Sequence, residues 1–167
     1  DAMRQAAGGA ESQGNAALEE LNRATRRIED ARNAGIDEGV RQLAETAAEL
    51  EQRQRSIAED VRRMQGTSGA ERAEQLRQLA ERKDGLSGDV ERLERDADQL
   101  ARDGRRDQPG AARALGEAAE TLRDQRVRDK IQFSKTVMRG GSPEYANSFE
   151  GQIADNIAEA GENLREA

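Results

Sequence analysis

The chain has no cysteine and no histidine among its 167 residues. Without them it cannot form the common zinc sites, ligate haem through His or Cys, or hold iron–sulfur clusters on thiolates. Ser-His-Asp and Cys-His catalytic groups are excluded for the same reason. The phosphate-binding motif G-x-x-x-x-G-K-[ST] is missing as well. We therefore expect a protein that is not an enzyme, with no catalytic residues, no metal ligands and no cofactor.

Aromatic residues and long apolar runs are scarce. The aromatic residues are Phe133, Tyr145 and Phe149, and no run approaches the roughly 18 apolar residues of a membrane-spanning helix. We therefore expect no transmembrane segment in this chain, and at most peripheral association with a membrane. Because the chain begins at Asp1 without a start methionine, we expect it to be cleaved from a longer, membrane-anchored precursor.

What the chain does have is charge and a regular apolar period. Charged residues make up 37% of it and hydrophobic residues 34%, with a formal net charge of −7. Between residues 36 and 64, apolar residues recur at alternating steps of four and three, with one polar position at Gln54. This is the a/d heptad seam of a coiled coil, and such a helix needs partner helices to be stable in water. The seam consists of Ile36, Val40, Leu43, Ala47, Leu50, Gln54, Ile57, Val61 and Met64.

Similar periodicity elsewhere divides the chain into five predicted helices. Gly35 is placed to end the first, and Asp37 to cap the second. Short loops between long helices force neighbouring helices to run antiparallel. We therefore predict an all-α, elongated, antiparallel up-and-down bundle that forms a single domain, 1–167. The predicted helices span about 1–33, 36–65, 69–103, 109–139 and 143–166.

Three features modify this pattern in the later helices. Gly85 and Gly88 could break the third helix, but the heptad phase passes through them unshifted, so we predict one helix there. The polar residues Lys83 and Ser134 occupy positions within the otherwise apolar faces of the third and fourth helices. After Leu122 the next apolar residue of the pattern comes five positions later, which predicts that the fourth helix leaves the seam midway.

The last two predicted helices carry opposite charge. Residues 108–139 contain seven basic and four acidic residues, a net charge of +3, whereas residues 140–167 contain one basic and six acidic residues, a net charge of −5. This complementarity favours pairing of the two helices as a hairpin. The predicted apolar face of the fifth helix is Tyr145, Phe149, Ile153, Ile157, Ala160 and Leu164.

The candidate binding residues lie in this hairpin. Aromatic residues and Arg are enriched at protein interfaces, so part of the cluster is predicted to face a protein partner. The alternative is that the aromatic residues simply hold the fourth helix against the fifth. The candidate partner-binding residues are Arg126, Arg128, Lys130, Phe133, Lys135, Arg139, Tyr145 and Phe149.

Two other functions compete with an interaction subunit. The basic stretch 123–139 could contact phosphates of a nucleic acid. The chain is acidic overall, and Phe133 is the one aromatic residue there that could stack on a base, so we expect no nucleic acid as partner. The second alternative is a free-standing coiled-coil oligomer without a different partner.

The C-terminal part resembles a known class of bacterial protein. The segments RDQRVRDKIQFSK at 123–135, SPEYA at 142–146 and ENLRE at 162–166 resemble the C-terminal segment of proteins of unassigned function that carry an N-terminal membrane anchor and a long helical extracytoplasmic region rich in Arg, Glu and Gln. The resemblance covers roughly the last 45 residues and implies a periplasmic location. The chain also resembles an accessory helical subunit on the periplasmic face of a bacterial photosynthetic reaction-centre and light-harvesting complex. That likeness implies a scaffold in a larger complex.

Overall fold

The computed structural model describes residues 2–167, with side chains from residue 13 onwards apart from that of residue 143. Over these residues the chain is helical and contains no strand, which confirms the all-α prediction. A single turn of 3₁₀ helix at Met64–Gly66 follows the first helix. The helices are α1 (Ala2–Arg63), α2 (Gly69–Gly104), α3 (Pro109–Asp124), α4 (Val127–Arg139) and α5 (Pro143–Glu166).

The helices pack as a bundle with four arms, because α3 and α4 follow one another along the same arm. α1 packs against α2 and α5, and the arm formed by α3 and α4 packs against the same two helices. The core between them is built from Leu, Ile, Val, Met and Ala side chains at the heptad positions. The predicted bundle is therefore confirmed, with four long arms in place of five helices.

The first two predicted helices are a single helix, so the predicted end at Gly35 is wrong. α1 continues through Gly35, which lacks the positive φ that a C-terminal cap glycine adopts. A glycine inside a helix costs only about 1 kcal/mol relative to Ala, and the buried Ile36 holds the next turn in the core. Asp37 does not cap a helix. Its carboxylate accepts a hydrogen bond of 2.9 Å from Gln108 Nε2, which ties α1 to the loop before α3.

The predicted fourth helix is two helices, which corrects the range 109–139. The chain turns at Gln125 and Arg126, where the backbone of Arg126 adopts a left-handed conformation with φ 51°. The break falls within the five-residue step that follows Leu122. A continuous helix would rotate the next apolar residue away from the core, since each residue turns the helix by about 100°. The turn instead returns Val127 to the core, where it is fully buried.

The third predicted helix is continuous, as its heptad phase indicates. α2 runs through Gly85 and Gly88 without interruption, and it begins at Gly69, as in the predicted range 69–103. The Ser68 side chain forms no capping hydrogen bond. A short turn of residues 64–68 reverses the chain between α1 and α2.

Residues 13–32 of α1 have no packing partner among the side chains that the structure describes. Every side chain from Gln13 to Arg32 is exposed, and the first buried residue is Ile36. Three large apolar side chains lie in this stretch: Leu18 is 60% exposed, Leu21 63% and Ile28 55%. The bundle therefore begins near Ile36, and the preceding turns of α1 extend beyond it.

Candidate functional site

The three aromatic residues of the chain form one cluster, which we call the aromatic surface. The ring centroids of Phe133 and Phe149 are 4.9 Å apart, and those of Tyr145 and Phe149 are 5.4 Å apart, both in edge-to-face geometry. Phe133 is 47% exposed and Tyr145 58%, whereas Phe149 is half-buried against the core. The predicted hairpin therefore brings these rings together, and it leaves two of them open to solvent.

The turn between α4 and α5 positions this surface. Gly141 has a positive φ of 85°, a conformation that an L side chain adopts only under strain. The amide of Ser142 donates to the carbonyl of Val137 at 3.3 Å, so the chain reverses within a few residues. Phe133 on α4 thereby comes to lie beside Phe149 on α5.

The buried face of α5 differs from the predicted one at its first two positions. Ala146 and Glu150 are buried, whereas Tyr145 is exposed and Phe149 only half-buried. The buried positions are Ala146, Glu150, Ile153, Ile157, Ala160 and Leu164, which keep alternating steps of four and three. Because the prediction placed the aromatic residues on the apolar face, its first two positions were each one residue too early.

An open groove of about 670 Å³ lies next to the aromatic surface. Phe133 and Phe149 form its apolar part, and residues from the end of α3 to the first turns of α4 form its polar part. Arg126 lines the groove from its left-handed backbone position. Such backbone conformations cost on the order of 1–3 kcal/mol and occur frequently at functional sites. The polar lining consists of Asp124, Gln125, Arg126, Asp129 and Lys130.

The basic residues of α4 pair mainly with acidic residues of α2. Lys135 Nζ lies 2.6 Å from Asp84 Oδ1, and Arg128 lies 3.2 Å from Glu91. The hydrogen bond from Lys135 lowers the pKa of Asp84, and the charge of Arg139 contributes in the same direction.

Two other basic side chains of this stretch have polar partners. Arg126 pairs with Asp129 at 3.0 Å on the surface, and Lys130 Nζ donates to Asn156 Oδ1 of α5 at 2.8 Å. Among the described residues, the ion pairs that α4 makes with another helix go to α2 and not to α5, contrary to the predicted charge pairing of the hairpin. The basic side chains Arg126, Arg128, Lys130 and Lys135 therefore all have polar partners within the chain.

A second cluster, the buried polar layer, lies inside the bundle. It consists of Gln54, Lys83, Ser134 and Glu150, one residue from each arm, and all four are buried. Lys83 Nζ and Ser134 Oγ both donate to the Glu150 carboxylate, and Lys83 Nζ also lies 3.1 Å from Ser134 Oγ. Gln54 Nε2 donates to Glu150 Oε2 at 2.6 Å. The four arms are therefore linked through one carboxylate.

The buried polar layer is closed to solvent. Burial lowers the pKa of Lys83, and the neighbouring Glu150 carboxylate partly opposes that shift. A lysine beside a serine is the arrangement used by Ser-Lys nucleophiles. Here both side chains are fully buried, so no substrate can reach the hydroxyl. Three of these residues, Gln54, Lys83 and Ser134, were identified as polar positions within the predicted apolar faces. The burial of Glu150 was not predicted, although Glu150 lies three residues before Ile153 and so fits the alternating steps of the heptad seam.

The described residues contain no group of three or more acidic side chains arranged to hold a metal ion. None of their helices combines the length and apolar character needed to cross a bilayer. No family model, curated protein or solved structure matches the chain. The resemblance of the C-terminal segments to membrane-anchored bacterial proteins therefore stays a prediction.

Proposed function

We propose that this protein is a non-catalytic interaction subunit, a helical scaffold that binds a protein partner through the aromatic surface. The observation that carries the proposal is the grouping of all three aromatic residues at one end of the bundle, with Phe133 and Tyr145 about half exposed. Aromatic side chains are the commonest anchors of protein interfaces.

The composition of the core supports this assignment. The fully buried side chains are aliphatic residues, Met, Ala and the four polar residues of the buried polar layer. The bundle therefore does not need aromatic rings to fill its interior. Aromatic groups left on the surface beside an open groove are typical of a binding site. Arg126, which lines that groove, adds a side chain that is also enriched at interfaces.

The location of the partner is a further part of the proposal. We propose that the scaffold works on the periplasmic side of a larger membrane-bound assembly. A more specific form of this proposal is that the assembly is a photosynthetic complex. The support for this is the resemblance of residues 123–135, 142–146 and 162–166. The aromatic surface falls within the same part of the chain.

The proposal is tested by quantitative capture of proteins from the native source on the full chain. The test variant is Phe133→Ala with Tyr145→Ala, which removes both exposed rings. The control is Thr136→Ala with Ser148→Ala, two exposed neighbours on the same helices. We expect a defined set of proteins to be retained by the wild type and by the control and lost with the test variant. Equal retention by all three chains would remove the support for this surface.

A further inference from the structure

The N-terminal extension of α1, residues 13–32, presents an apolar stripe with nothing packed on it. The stripe runs along one side of the helix through Ala17, Leu21, Ala24, Ile28 and Ala31, with Leu18 beside it. Its large side chains are 55–63% exposed. We propose that this extension pairs with the same segment of a second copy of the chain as an antiparallel coiled coil. The proposal is independent of the aromatic surface and goes beyond it.

The stripe is separate from the seam by which α1 packs in the bundle. Continuing the bundle seam backwards from Ile36 in steps of three and four leads to polar positions throughout the extension. The apolar stripe lies on a different side of the helix, since each residue turns it by about 100°. The extension is therefore not an unfinished part of the bundle. The polar continuation consists of Asn33, Glu29, Arg26, Asn22 and Glu19.

The sizes of the stripe residues favour a second copy in the antiparallel direction. In the heptad of the stripe, Leu21 and Ile28 occupy a positions, and the d positions are Ala17, Ala24 and Ala31. An antiparallel pair can set Leu21 against Ala24 of the second copy, and Ile28 against Ala17. Each layer then combines a large and a small side chain, as well-packed interfaces require. A parallel pair would stack Leu21 on Leu21 and leave layers of alanine alone.

The charges beside the stripe select the same direction. Glu20 and Arg27 occupy the flanking g positions, and Arg32 occupies an e position. In the antiparallel register above, Glu20 of each copy lies next to Arg27 of the other, so two attractive pairs form. In a parallel pair Arg27 would face Arg32 of the second copy, twice, with repulsion. Charge complementarity therefore favours the antiparallel arrangement.

The pairing would give the scaffold two distant binding ends. The crossing point of the two extensions falls between residues 22 and 23, about 40 residues from the end of α1. At 1.5 Å per residue, the far ends of the two bundles would lie roughly 120 Å apart. Each of those ends carries an aromatic surface, since the turn between α4 and α5 lies near the C-terminus of α1. The dimer is thus suited to holding two partners at a fixed separation.

Sedimentation equilibrium of the full chain over a wide range of concentration tests the pairing. We expect the wild type to rise from 18.3 kDa to twice that mass, and Leu21→Glu with Ile28→Glu to stay at 18.3 kDa. The control, Asn15→Glu with Asn22→Glu, adds the same charge to the same helix away from the stripe and should dimerise like the wild type. At a concentration where the wild type is monomeric, unchanged thermal unfolding of both variants shows that the bundle is intact. A wild type that stays monomeric, or a stripe variant that dimerises normally, overturns the proposal.

The direction is tested by reversing charges. Arg27→Glu should weaken dimerisation roughly tenfold, because two attractive contacts become repulsive. Adding Glu20→Arg to the same chain should restore it. Tighter dimerisation by Arg27→Glu alone overturns the antiparallel arrangement, since that change would relieve the repulsion of a parallel pair. The variant Phe133→Ala with Tyr145→Ala should dimerise normally, so failure of the aromatic surface and failure of this pairing give different results.

Discussion

The carboxylate of Glu150 has the most consequential position of any single group in the bundle. It accepts hydrogen bonds from Gln54, Lys83 and Ser134, which come from the three other arms. A buried ion pair of this kind adds little net stability relative to apolar residues, but removing one partner leaves an uncompensated buried charge. Its consequence for folding is therefore specificity: the polar side chains meet in one register of the four arms.

The buried polar layer predicts the effect of three substitutions on the free energy of unfolding. Glu150→Leu alone and Lys83→Met alone should each lower it by about 3–5 kcal/mol, because each leaves the other charged group buried without its partner. The combined variant Lys83→Met with Glu150→Leu should lose much less, because no buried charge remains and only the neutral Gln54 and Ser134 side chains lose a partner. Urea denaturation measures all three. As a control, Glu74→Gln removes an exposed carboxylate that pairs with Arg77 and should leave the denaturation midpoint unchanged. If the combined variant loses as much free energy of unfolding as the two single variants together, then Lys83 and Glu150 are not coupled, and the role given to the buried polar layer is wrong.

The aromatic residues make a second prediction at this scale. Phe149 is half-buried and in contact with both other rings, so Phe149→Ala should lower the free energy of unfolding by about 1.5–3 kcal/mol, less than the ~3–5 kcal/mol of a fully buried ring. Tyr145→Ala removes a side chain that is 58% exposed and should change it by less than about 1 kcal/mol. A loss for Tyr145→Ala as large as that for Phe149→Ala would show that the cluster serves folding and not binding.

The sequence predicted part of this residue-level description. The polar positions Gln54, Lys83 and Ser134 followed from periodicity, and the grouping of the aromatic residues followed from the predicted hairpin of the last two helices. Glu150 was missed because Phe149 beside it is more apolar, and hydrophobicity alone selects the larger ring. Whether a position is buried depends on the packing of all four arms, which the local sequence does not contain.

At the scale of the helices, a glycine accounts for one of the two differences between prediction and structure. Gly35 carries the sequence signal of a helix end, yet it lies within α1. Gly141 carries a similar signal and does end an arm with a positive φ. The two glycines differ in the residues that come after them: the apolar seam of the bundle starts directly after Gly35, whereas a proline begins a new helix shortly after Gly141. The seam at Ile36 outweighs a cost of about 1 kcal/mol.

Alanine substitutions at glycine test the continuity of α1. Gly35→Ala should raise the free energy of unfolding by about 0.5–1 kcal/mol, because the added Cβ meets no atom within 4 Å and helical Ala is preferred to Gly. Gly88→Ala within α2 should give a similar gain, and Gly141→Ala should give a loss because its φ is positive. If Gly35→Ala behaves like Gly141→Ala, then the helix ends at residue 35 after all.

The break after Asp124 was only partly predictable at this scale. The five-residue step after Leu122 located it, but heptad counting cannot tell a helix that drifts off its seam from one that stops and restarts. In the structure α3 ends and α4 begins as a new helix, and Arg126 between them adopts a strained left-handed backbone conformation. Arg126→Gly should therefore keep or slightly raise the stability of the isolated chain, since Gly adopts positive φ without strain.

At the scale of the whole molecule, α1 sets the shape. Its 62 residues span about 93 Å. Small-angle X-ray scattering of the monomeric variant Leu21→Glu with Ile28→Glu should therefore give a maximum dimension of at least about 90 Å. A compact particle of about 50 Å would mean that the extension folds back on the bundle, and it would contradict the free stripe. The elongated shape follows from the length of α1 alone.

Site-specific photocrosslinking in the native source tests whether the aromatic surface binds another protein. A photoreactive phenylalanine analogue is placed at Tyr145 in the full chain, and as a control at Glu120, an exposed residue on α3. The account predicts a covalent adduct of one defined mass from position 145 and none of that mass from position 120. No adduct from position 145, or the same adduct from both positions, would contradict it.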